Sequence, residues 1–90
     1  MIYIVSYTLK PRRDATKVIQ ALQQSPYWWH FLDDTWLIST GETASQIYER
    51  IRTEFLASDR ILIMQFTPNA QYAGWLPQDA WDWIEQHKYK

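Results

Sequence analysis

Two adjacent carboxylates, Asp33-Asp34, stand between two runs of strand-forming residues. Paired carboxylates can begin a divalent-cation site, because hard cations take oxygen ligands. No third carboxylate is close in sequence, and aspartate is a common turn residue, so the expectation is a solvated hairpin turn. His30 precedes that pair and titrates near neutrality, as an acid–base partner would. On a strand it would share a face with Trp28 and Leu32, which predicts a packed or partly exposed ring. His87 closes the last helical stretch, where a cation favours the helix dipole, and a capping role is expected of it. Lys10, Arg12, Arg13 and Lys17 form the one concentrated basic patch. Beside a helix start they are candidate phosphate- or nucleic-acid-binding residues. The competing reading is a solvated surface loop. There is no cysteine, hence no thiolate nucleophile or thiolate metal site. No Ser/His/Asp order, glycine-rich loop or His/Cys cluster is present. No catalytic residue, metal ligand or cofactor is therefore assigned.

The aromatic residues are the unusual feature: six Trp and six Tyr in 90 residues. Rings exposed on a sheet would stack on bases, as in RNA-recognition domains. Tyr3 and Tyr7 loosely match one motif of such domains. The other, with its basic-Gly-aromatic centre, is missing from Thr35–Thr40. Large rings more commonly fill cores or protein interfaces. Tyr3, Tyr7, Trp75, Trp81 and Trp83 are accordingly the candidate interface residues.

These residues must be positioned by a single small domain, since 90 residues leave no room for a second. A chain of this size buries only about two-thirds of its unfolded surface, so it needs dense packing or a partner. At 47% hydrophobic residues the density is available. A net charge of −1 lacks the basic excess usual for nucleic-acid binders. The longest apolar run is far short of a membrane span, and no leader pattern is visible at the N-terminus. The expectation is a soluble, cytoplasmic protein with no membrane partner.

Ile2 to Leu9 alternates β-branched and aromatic residues and predicts a strand with two apolar faces. Asp14 is a candidate N-cap, followed by a helical stripe at Ala15, Val18, Ile19 and Leu22 that Ser25-Pro26 ends. Tyr27–Leu32 and Thr35–Thr40 predict two strands of a hairpin around Asp33-Asp34. Gly41 ends the second of them. Thr43-Ala44-Ser45-Gln46 matches a capping box and opens a helix with its stripe at Ala44, Ile47, Tyr48, Ile51 and Phe55. Arg60–Thr67 predicts a fourth strand, apolar on both faces. Residues 69–76 are irregular, and Pro77 opens a third helix whose apolar side carries Ala80, Trp81, Trp83 and Ile84.

Two strand–helix–strand units joined by a hairpin predict an α/β (α+β) fold. It is the ferredoxin-like β-α-β-β-α-β arrangement with a four-stranded antiparallel sheet, both main helices on one face, and the first and fourth strands central. Residues 1–67 form that core. Residues 68–90 form a C-terminal extension with a Trp-rich short helix, packed on the same domain. The other sheet face then needs covering, by the segment from Trp75 to Ile84 or by a second copy.

Tyr3-Ile4-Val5-Ser6-Tyr7, Trp28-Trp29-His30, Asp34-Thr35-Trp36-Leu37-Ile38 and Asp59-Arg60-Ile61-Leu62 together resemble the small bacterial SinR-family proteins. Gly74-Trp75-Leu76 and Ala80-Trp81-Asp82-Trp83-Ile84 resemble their C-terminal signature. That group is similar to the CRISPR-associated ferredoxin-like nuclease or adaptation subunit, and more distantly to VapD-type toxin ribonucleases. The resemblance implies a ferredoxin-like fold and a homodimer. The CRISPR-associated nucleases carry a metal-binding Asp at the end of the first strand. Here Thr8 follows Ser6-Tyr7, and a neutral hydroxyl is a poor Mg²⁺ ligand.

The resulting expectation is a homodimeric binding or assembly module without catalytic activity. The alternative is a protein related to the CRISPR-associated subunit that binds RNA or DNA, or cuts it with a metal, through Lys10, Arg12, Arg13 and Lys17. A protein partner neutralised through the same face is a third reading.

Overall fold

The computed structural model describes residues 1–90. Along the chain run β1 (Ile2–Thr8), α1 (Thr16–Leu22), β2 (Tyr27–Leu32), β3 (Thr35–Ser39), α2 (Ala44–Ile51), a 3-10 turn (Arg52–Glu54), β4 (Arg60–Phe66) and α3 (Gln78–His87). The fold is α+β, with three helices and one four-stranded sheet in the order β2-β3-β1-β4. Every neighbouring pair of strands is antiparallel. This order corrects one expectation. β1 is central, but its fellow central strand is β3, and β4 lies on the border. Leu62 and Met64 gave β4 its second apolar face, and both are more than half exposed. An apolar residue on a strand signals burial only when something covers that face.

One sheet face carries α1 and α2. Alternation sends Tyr3, Val5 and Tyr7 of β1, with Trp36 and Ile38 of β3, into a core with Val18 and Leu22 of α1 and Ile47 and Ile51 of α2. Each helix supplies that core from residues four apart, which lie one above the other on a helix face. α2 is the better anchored at its start. The Thr43 side chain accepts the Gln46 N–H at 3.2 Å, and the Gln46 side chain accepts the Thr43 N–H at 2.8 Å. Two backbone donors that would otherwise be unpaired are thereby satisfied. Arg50 of α2 ties the helices together, donating to the Ala21 carbonyl (2.6 Å), the Ser25 hydroxyl (3.0 Å) and both Glu42 oxygens (3.0 Å each).

The hairpin between β2 and β3 turns on Asp33-Asp34, as expected. No residue has positive φ, so the turn is not the mirror-image type whose twist matches two strands. The ladder is irregular between Trp29 and Leu32. His30 keeps the face of Trp28, the helix-bearing side, and stacks on Trp36 with ring centroids 4.1 Å apart, while the shift turns Leu32 to the other face. The expectation that His30 shares a face with Leu32 is therefore wrong. Leu32 pairs with Thr35 and faces the other way. The His30 Nε2 also lies 2.9 Å from the Asp33 carbonyl oxygen.

Candidate functional site

The second sheet face is organised by cross-strand register into three rows. Tyr27, Ser39, Ile2 and Phe66 are neighbours across the four strands; so are Trp29, Leu37, Ile4 and Met64; so are Leu32, Thr35, Ser6 and Leu62. α3 lies over the first row and part of the second. Ala80 and Ile84 pack with Ile2, Trp29, Leu37 and Phe66, while Leu76, Trp81 and Trp83 flank them. The helix ends on Tyr27, where the His87 ring sits between Tyr27 and Trp83, each with its centroid 4.6 Å away. His87 is buried and its Nδ1 has no hydrogen-bond partner. Burial pushes its imidazole below the usual range, and the charges of Lys90 and the N-terminal ammonium push the same way. A packed ring, held neutral, is what these surroundings favour.

The cover stops there. In the third row Leu32 is 47% exposed and Leu62 58%, and in the second row Met64 at the β4 end is 53% exposed. The third row crosses three interstrand gaps, about 14 Å. Its centre holds a weak polar pair, with the Ser6 and Thr35 hydroxyl oxygens 3.3 Å apart. Phe31 stands beside the β2 end, edge-on to Trp29 at 5.2 Å and half exposed. Exposed apolar side chains at both ends of this row, beside a half that α3 covers, are what sets this surface apart.

The segment joining β4 to α3 adds one more exposed ring. Tyr72 packs on Phe66 (5.0 Å between centroids) and donates its hydroxyl to Glu85 at 2.7 Å. Leu76 packs on the core under α3. Between these two anchors Trp75 is 99% exposed. It protrudes because its neighbours are fixed, and it touches nothing of its own chain's core.

The candidate interface residues thus divide. Trp75 is on the surface. Trp81 and Trp83 are half-buried on α3 against the chain's own sheet. Tyr3 and Tyr7 are buried beneath α1 and α2, which removes them as intersubunit or base-stacking rings. The alternation of β1 was read correctly, but the helices cover the tyrosine side. Leu32, Leu62 and Met64, which the sequence reading did not single out, hold the surface instead.

The basic patch also divides. Lys10, Arg12 and Lys17 are exposed. Arg13 is engaged: its Nη1 donates to Asp59 Oδ1 at 2.8 Å, and Nη2 to Oδ2. The same buried carboxylate accepts the Lys10 and Leu56 backbone N–H groups at 2.8 and 2.7 Å. Donors on every side, the Arg13 guanidinium foremost, hold the Asp59 carboxyl well below the usual carboxylate range. Arg13 therefore fastens the loop after β1 to the start of β4 and is not available to a phosphate. The start of α1 is occupied as well, because Asp14 Oδ1 accepts both the Thr16 N–H (3.0 Å) and its hydroxyl (2.6 Å). The N-cap position falls on Ala15, one residue later than expected, and Asp14 bonds the first helical residue from the position before it. Thr8 is exposed at the end of β1. No three His, Asp or Glu side chains converge as metal ligands, and no helix is long and apolar enough to cross a membrane. In comparisons with known proteins, the chain matches no family model, no curated protein and no solved structure.

Proposed function

We propose that this chain is a small assembly module in the ferredoxin-like arrangement, working as a homodimer through the uncovered part of its sheet and without catalysis of its own. The observation that carries the reading is the exposure of Leu32 and Leu62 at the two ends of the row Leu32–Thr35–Ser6–Leu62, beside a half of the same face that α3 covers. A 90-residue domain has little apolar surface to spare. Leaving leucines exposed at both ends of a sheet row is costly in water unless another surface meets them. The ferredoxin-like assignment is supported by the element order and by the order β2-β3-β1-β4.

Light scattering across a concentration series tests the reading. The expected result is a mass that rises toward twice 10.9 kDa, and that stays at the monomer value for Leu62→Asp. A wild-type mass fixed at the monomer value at every concentration would end the proposal.

The nucleic-acid reading keeps one supporting observation, the exposure of Lys10, Arg12 and Lys17 in one stretch. Its test is fluorescence anisotropy with a short labelled RNA. Binding that weakens steeply with salt and disappears in Arg12→Ala/Lys17→Ala would favour it over the assembly module. Arg13→Ala is unsuitable for that test, because it also releases Asp59.

A further inference from the structure

We infer that the free border of β4 pairs with the same border of a second copy, antiparallel about a two-fold axis at Ile63, so that two four-stranded sheets become one. The inference rests on the reading of the chain as a homodimer, and it names the contact that makes the pair. Tyr7 donates its N–H to the Asp34 carbonyl, and Thr40 donates to the Met1 carbonyl. Odd-numbered residues of β1 therefore turn their backbone groups to β3, and even-numbered ones turn theirs to β4. In the β1–β4 register, Ile2, Ile4, Ser6 and Thr8 stand opposite Phe66, Met64, Leu62 and Arg60. That leaves the N–H and C=O of Ile61, Ile63 and Gln65 directed outward, and no turn, loop or cap bonds to them. Donors and acceptors in this alternation are a template for another strand.

The strand that fits this template is β4 itself. From Ile61 to Phe66 it holds no charged residue and no Pro, the usual guards of a border strand. With Ile63 on the axis, Ile61 meets Gln65 of the partner subunit, Ile63 meets its own counterpart, and Gln65 meets Ile61. Each pair exchanges two hydrogen bonds, because the outward groups of both strands then face one another. A slip of one residue would set outward groups against inward ones. An axis at Leu62 or Met64 would keep the match and leave one of the three residues unpaired. On the open face, Leu62 comes opposite Met64 of the partner subunit, and Met64 opposite Leu62, at the closer of the two cross-strand spacings. The two exposed side chains thus meet their own copies. On the helix side, Ile63 of the partner subunit enters the open groove between α2 and β4, lined by Ala44, Tyr48, Ile61 and Ile63. The charges agree as well. Arg60, the one charge on the strand, falls opposite Phe66, and the two Arg60 positions stand about 20 Å apart along the sheet.

Sedimentation velocity from about 5 to about 500 μM tests this with wild type, Gln65→Pro and Gln65→Ala. Proline removes the outward N–H of residue 65 and spares the ladder to β1, a position at which a border strand tolerates it. Alanine removes the exposed side chain and keeps the N–H. Wild type is expected to dimerise, Gln65→Pro to associate about tenfold or more weakly, and Gln65→Ala to follow wild type. Far-UV circular dichroism checks that each variant is folded. A second measurement reads the register and does not depend on the proline variant. The chain has no cysteine, so Leu62→Cys and Met64→Cys are oxidised separately and as an equimolar mixture, and the products are weighed by mass spectrometry. Opposed positions 62 and 64 lie about 4.5 Å apart between Cα atoms, within disulfide reach. Like positions lie about 8 Å apart, beyond it. The mixed disulfide should therefore dominate. Three results would overturn the inference. If folded Gln65→Pro dimerises as tightly as wild type, the homodimer stands and its contact is not the β4 border. A mixture that cross-links no better than either variant alone would remove the alignment at Ile63. A wild-type monomer at about 500 μM would remove the homodimer and the strand pairing together.

Discussion

The partial cover over the second sheet face can be measured by comparing two truncations of similar chemistry, Ile84→Ala and Leu62→Ala. Ile84 is on α3, 3% exposed, and packs on the covered rows. Removing its three outer carbons leaves a cavity between helix and sheet, which costs about 2–5 kcal/mol. Leu62 is 58% exposed, so about 42% of it is covered. A fully buried leucine contributes about 1.5–3 kcal/mol. The covered fraction, of which alanine keeps a part, then represents less than about 1 kcal/mol. A domain of this length has about 5–13 kcal/mol of stability in all. Ile84→Ala therefore removes a large share of it, and Leu62→Ala little. Urea denaturation followed by far-UV circular dichroism, with protein at about 2 μM to disfavour self-contact, should separate the two midpoints clearly. Thermal melts should differ by about 4 °C or more, since 1 kcal/mol moves the midpoint about 4–8 °C in a domain of this size. Equal losses for the two variants would refute the reasoning, because Leu62 would then be covered within its own chain. Raising the protein concentration adds a second reading. Wild type should gain stability by mass action, and Leu62→Ala should gain less.

Three other expectations follow from the described contacts. The pKa of His87 is lowered in the folded chain by burial, then by Lys90 and the N-terminal ammonium, so the unfolded chain takes up its proton first as pH falls. Its contribution is fully present above the unfolded pKa of about 6.5 and is lost as pH drops from there through the folded value, with a slope of at most about 1.4 kcal/mol per pH unit. Urea midpoints between pH 8 and 5 should show this decline, and His87→Phe should flatten it. Thr43→Ala removes the hydroxyl half of the α2 capping box and should cost about 1 kcal/mol in the same denaturation assay, with native circular dichroism otherwise retained. Asp59→Asn and Arg13→Ala should each lower the urea midpoint, and the double variant should lose far less than their sum, because both break one buried contact. Additive losses would mean that the two residues act separately.

What was legible in the sequence was local. Thr43 and Gln46 announced the start of α2, since a capping box is written within four residues. Tyr27–Leu32 and Asp33-Asp34 announced the hairpin, since alternation and turn chemistry are neighbours' properties. The parity of Tyr3, Val5 and Tyr7 on β1 was legible too. Which parity the helices would cover was not, because both sides of β1 are apolar. The same ambiguity put β4 in the centre: Leu62 and Met64 read as a buried face, while nothing in the fold covers them. Arg13 looked like a free cation because its partner, Asp59, lies in the loop before β4 and comes close only once β4 pairs with β1. The displacement of Leu32 from the face of Trp28 and His30 follows from an irregular ladder that no residue in the stretch announces.

The two borders of the sheet are unlike each other, and this limits how copies can accumulate. β2 follows Pro26 and has a broken ladder at His30–Phe31, so its free side is a poor template for another strand. β4 pairs with β1 over seven consecutive residues without a bulge and offers a straight free side. A strand added to this sheet would find its straighter template at β4. Two copies joined there would present only their β2 sides to solvent, which disfavours further growth by strand addition.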